Sequence, residues 1–148
     1  MPERETLKRA AKDKAEGKSP GTQAGEFVRE EIEHVREGKH GARSAKQAIA
    51  IGLSKARRAG VKLPTPKKGQ ASKETREQAE RDLKKGGKAT KKKTSAKRSR
   101  ATLNALKREG RSAASKTALS RQAHQAAGKR SAASRSRSAK KAAATRKK

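Results

Sequence analysis

Residues 22–63, TQAGEFVREEIEHVREGKHGARSAKQAIAIGLSKARRAGVKL, carry the residue pattern that decides the fold. At about 100° per residue, Val28, Ile32 and Val35 share one stripe, and Glu26, Glu30, Glu33 and Glu37 lie opposite it. This predicts an amphipathic helix with an acidic, solvated back. It starts at Thr22 or Gln23, after a break at Pro20-Gly21, and Gly38 supplies its stop. Ser44 and Gln47 have the spacing of a capping box and open a second helix, Ala45 to Ala59. Ala45, Ile49, Gly52, Leu53, Ala56 and Ala59 share one face of it, and the small residues among them allow a close partner helix. Gly60 ends the helix, with Val61 placed for the apolar contact of a Schellman turn. Residues 22–63 therefore read as a helical hairpin.

Outward from the hairpin the apolar content collapses. Leu, Ile, Val and Phe total 14 of 148 residues, and nine of them lie between Phe27 and Leu63. So little apolar material with so much charge makes disorder the default expectation. The predicted fold class is mostly α with extensive disorder: the hairpin plus a weakly helical or disordered basic C-terminal tail. Residues 1–21 are expected to be a flexible N-terminal segment with little to pack on. Residues 64–72, holding Pro64 and Pro66, form a linker, and 73–85 a short helix. Residues 86–148 form the basic tail, with helices near 95–109 and 112–127. A weak internal repeat is also visible, Ser44 to Gly60 against Ser112 to Gly128, each preceded by Arg-Glu-Gly.

Charge is distributed as unevenly as apolar bulk. Leu83–Lys148 holds 23 Lys and Arg against one acid, Glu109, so this part carries +22 of the chain's +29. A chain end this cationic attracts polyanions, and nucleic acid is the abundant one. The expected phosphate-contacting residues are Lys46, Arg57 and Arg58 on the second helix. In the tail they are Lys91, Lys92, Lys93, Lys97, Arg98, Arg100, Lys107, Arg108, Arg111, Lys116, Arg121, Lys129, Arg130, Arg135, Arg137, Lys140, Lys141, Arg146, Lys147 and Lys148. Arg43, Lys39 and Lys62 add charge at the ends of the second helix. Scattered Arg and Lys suit phosphates rather than base edges. Single-strand readers stack bases on aromatic rings, and this chain has Phe27 but no Tyr or Trp. Duplex DNA, bound without sequence preference, is the expected partner, with RNA second.

No catalytic residue, cofactor or metal site is expected. The chain has no cysteine, and His34 and His40, six apart, show no ligand cluster around them. The Glu stripe reads as solvated charge. No segment has a nucleophile elbow or phosphate-loop spacing. No apolar run approaches the roughly 18 residues of a membrane span, so a cytoplasmic, nucleoid-associated protein is expected.

GEFVREEIEHVREGKHGARSAKQAIAIGLSKARRAGVKLP, residues 25–64, resembles a family of small basic bacterial proteins catalogued as a domain of unknown function, chiefly through Arg43–Gly60. Leu106–Ala123 is similar to the downstream part of such proteins. The resemblance implies a bacterial origin, DNA association and no enzyme activity. In composition the tail is similar to linker-histone tails and to Lys/Ala-rich bacterial histone-like proteins, though it has no proline. Two alternatives stand beside a histone-like DNA binder. One is an RNA- or ribosome-associated protein. The other is an adaptor whose hairpin takes a protein partner, or a second copy of the chain, to complete its small core.

Overall fold

The computed structural model describes residues 2–86 and 95–146. Seven α-helices follow one another: α1 (Arg4–Ala15), α2 (Pro20–Arg36), α3 (Ala45–Arg58), α4 (Lys73–Lys85), α5 (Ala96–Lys107), α6 (Lys116–Gly128) and α7 (Ala132–Arg146). A single 3-10 turn, Ser112–Ala114, precedes α6, and no named strand occurs among the described residues.

The hairpin expected over 22–63 is α2 and α3. Its first helix starts earlier than expected. Pro20 is not a break but an N1 residue, and the Ser19 hydroxyl accepts the Thr22 N–H in front of it. Proline fits there because its missing N–H is unneeded in the first turn. Ser44 caps α3 through the Gln47 N–H, and Gln47 Oε1 accepts from the Arg43 N–H, completing a box one residue further back than expected. At the far end Gly60 has φ +95°, and the Val61 N–H reaches the Ala56 carbonyl, as in a Schellman turn.

The two helices meet along small residues. Ala45, Ala48, Gly52 and Ala56 are buried, whereas Ile49 and Leu53 are half-buried at the edge and Ala59 is exposed. The reason is proximity. A Cβ on Gly52 would stand 2.6 Å from the Val28 Cα and 3.0 Å from the Phe27 carbonyl oxygen. At that separation only glycine fits at position 52, and Ala48 and Ala56 carry the contact on either side of it.

The N-terminal segment is not free. Helix α1 lies on α2 and buries Thr6, Ala10 and Asp13. Ala10 joins Ala24, Phe27 and Ala56 in one apolar cluster, with Leu53, Val61 and Leu63 against it. Arg9 pairs with Glu26 at 2.6 Å. The acidic stripe is accordingly not uniformly solvated. Glu30 is 2% exposed and Glu31 1%, both facing Lys55 of α3. Burial pushes the Glu30 pKa up. The Glu3 N–H, the Thr6 hydroxyl and the Lys55 ammonium outweigh this, and the carboxyl sits below its ordinary value.

The C-terminal half also enters the core. Ala113 and Ala114 are buried in a second cluster with Ile32, Val35, Ala42 and Ala48, and Leu119 packs against it. The end of α5 and the turn after it grip the hairpin loop: the Gly41 N–H donates to the Leu106 carbonyl, and the Ala42 N–H to that of Gly110. Any side chain at Gly41 would run into the Glu109 carbonyl. Arg36 Nε donates to the Ala114 carbonyl at 3.0 Å. A core restricted to residues 22–63 is therefore too small a picture. The extensively disordered tail is replaced by α5, α6 and α7, capped or begun at Ser95, Ser115 and Ser131. The repeat fails in register, because α6 is capped by Ser115 rather than Ser112.

Candidate nucleic-acid interface

Helix α4, found at the expected residues, closes the outer face of α3. Asp82 is buried and accepts from the Ser54 hydroxyl at 2.5 Å. Its neighbour across the gap is Arg57, which is 6% exposed and donates to the Pro64 carbonyl. Burial lowers the Arg57 pKa, and Asp82 opposes that shift. Arg57 is thus a structural cation holding the linker to α3, and its guanidinium is turned away from solvent. Periodicity placed it on a flank because α4, which covers that flank, leaves no mark on α3's own sequence. Lys46 and Arg58 of α3 are exposed, at opposite ends of the helix.

The remaining expected contacts fall into a consistent pattern. Lys97, Arg98, Arg100 and Lys107 are exposed on α5, Arg108 and Arg111 on the turn beyond it, and Lys116 and Arg121 on α6. Lys129 and Arg130 sit between helices. Arg135, Arg137, Lys140, Lys141 and Arg146 are exposed on α7. Helices α5, α6 and α7 have no fully buried residues, and their cations are exposed, although α6 lays Leu119 against the core. Arg130 is partly engaged, bonding Ser134 and Ser138 along the first turns of α7. Lys91, Lys92, Lys93, Lys147 and Lys148 lie outside the described residues.

Tertiary packing adds one feature. The N-terminal ends of α3 and α6 open into a common cleft of about 490 Å³, lined by Arg43, Ser44, Lys46, Ser115 and Arg121 among others. Two helix starts, each with free backbone N–H groups and the positive end of a helix dipole, face the same space as three cations. Such an arrangement suits an anion of phosphate size. Arg43 is the residue sequence reasoning undervalued. Its one local signal is its place immediately before a capping serine.

These features define a helical, strongly cationic protein with a cation-lined cleft between the starts of α3 and α6. Residues 14–68, from the end of α1 to the linker, match the model of a family described as a family of unknown function (DUF6496). Leu106–Ala123 lies outside the matched stretch. No curated protein and no solved structure matches the chain. No helix among the described residues is long and apolar enough to cross a membrane.

Proposed function

We propose that the protein binds nucleic acid, duplex DNA foremost, without sequence preference, as a histone-like, nucleoid-associated coat rather than an enzyme. The observation that carries this reading is the +22 charge after residue 82, part of which α5, α6 and α7 display on helices that bury none of their residues. Phosphate neutralisation uses such helices directly, since their cations need no common face. The α3/α6 cleft supports it by offering a fixed seat for one backbone phosphate, which would set the orientation of the globular part on the duplex. The lack of stacking aromatics favours a duplex over a single strand.

The clean test removes residues 131–148, because α7 buries nothing and its loss leaves the core intact. Whole chain and truncated chain are titrated with duplex DNA across salt. With about 10 phosphates neutralised, whole-chain affinity falls by roughly 10⁵ between 50 and 200 mM salt. The truncated chain binds more weakly and with a shallower salt slope, and Arg43→Glu or Arg121→Glu lowers the slope by about one further contact. Equal affinity and slope for both chains refutes the reading. Loss of captured nucleic acid to RNase but not DNase transfers it to RNA.

A further inference from the structure

We propose that Glu31, His34 and His40 form a binding site for a divalent transition-metal ion, best fitted by zinc, independent of any nucleic-acid contact. One ligand atom from each of the three lies within 4.8 Å of the others. Glu31 and His34 are three apart on α2 and so share a face. His40 is brought back to them by the chain reversal at Gly38, whose φ is +77°.

The hydrogen-bonding around His40 leaves a gap that a cation fills. Its Nδ1 lies 3.0 Å from the Gly41 carbonyl oxygen, which only accepts, so Nδ1 carries the hydrogen. Its Nε2 then points at Glu31 Oε1, 3.1 Å away, which as a carboxylate also only accepts. Two facing acceptors need a proton or a metal between them. Ligands about 2.0–2.1 Å from a tetrahedral zinc are separated by about 3.3 Å, close to the observed spacing. A carbonyl on the second imidazole nitrogen is the usual support of a metal-bound histidine.

The charge balance points the same way. Glu30 and Glu31 share the single ammonium of Lys55, at 3.2 and 2.6 Å, leaving one buried negative charge over. Glu31 Oε2 is held by the Lys55 ammonium at 2.6 Å. With Oε2 turned to Lys55, Oε1 is left to the site. The His34 and His40 side chains are 13% and 10% exposed, so the site is shielded yet reachable. Glu3 Oε1 lies 2.9 Å from His34 Nε2, beside the three-residue group and not part of it. A donor set of two imidazoles and a carboxylate, with no thiolate in the chain, suits zinc and, as a probe, cobalt.

The test uses the full chain without a histidine tag, stripped with a chelator. Titration with Zn²⁺ by calorimetry is expected to give one saturable site per chain and a raised melting midpoint. Co²⁺ is expected to give the visible absorption of a four-coordinate complex, bleached by Zn²⁺. His40→Gln and His34→Gln, checked for fold by circular dichroism, each weaken Zn²⁺ affinity by about 100-fold or more, whereas His124→Gln leaves it unchanged. Absence of saturable binding, or binding that survives in the His34→Gln/His40→Gln double variant, overturns the proposal. Because the readout is metal, failure of DNA binding has no bearing on it.

Discussion

At the scale of single residues, burial rather than residue type decides what each charge does. Glu30 and Glu33 belong to the same stripe of α2, yet Glu30 is sealed under α1 while Glu33 pairs with Arg29 at the surface. Arg57 and Arg58 are adjacent, and only Arg58 faces solvent. Glu30 makes a specific acid dependence. Its carboxyl titrates lower in the folded chain than its ordinary 4.5, so the native state is stabilised above that value and loses the contribution as pH falls through it. Glu30→Gln lacks this group. Melting curves of the two proteins should differ most near neutral pH, with the parent chain higher, and converge as the pH drops below about 4.5. A gap that stays constant into acid would show that Glu30 is not ionised in the folded state.

At the scale of elements, α1 is the piece whose role differs most from its appearance in sequence. Its one large apolar residue after Met1 is Leu7, and Leu7 is exposed. What α1 buries instead is Ala10 and Thr6, and what it covers is Phe27, Ala24 and Glu30. Deleting residues 2–18 would expose part of Phe27 and remove two of the donors to Glu30. The expected loss is about 2–3 kcal/mol, or roughly 5–10 °C in melting midpoint. A circular-dichroism melt of the shortened chain that superimposes on the parent would restore the view of a loose N-terminal arm. Helix α7 is the opposite case. With no buried residue, it rests on alanine propensity, the Ser131 cap and the Arg130 bonds to Ser134 and Ser138.

At the scale of the whole molecule, +29 works against compactness. A 15-residue helix without tertiary support is marginal in water, and like charges along it lower its population further. Added salt screens that repulsion, so helix content should rise between about 10 and 500 mM salt before any nucleic acid is present. Duplex DNA should raise it in the same direction at low salt. The gain should vanish when residues 131–148 are removed. A far-UV signal that is flat in salt would place α7 among the intrinsically stable elements.

The hairpin, the cap and stop of α3, α4 and the polarity of charge were legible in the sequence, the local features because they rest on neighbours within four residues, as Ser44 with Gln47 and Gly60 with Val61, whereas the Ser19 start of α2 was not. The uneven charge needs no fold at all to be seen. Only the tertiary structure decided the rest. It placed α1 over Glu30, turned Arg57 inward beneath α4, and drove Ala113 and Ala114 into the cluster around Val35. It opened Arg43 and Arg121 onto one cleft, and brought His40 to Glu31 and His34. Each brings together groups from separate elements, Glu31 and His34 of α2 excepted. The helix packing beneath them is supplied largely by alanine and glycine, and residues so small carry almost no periodic signal. The physical reason is that a core built on close backbone approach is written in the absence of side chains, and such an absence can be recognised only once both backbones are in place.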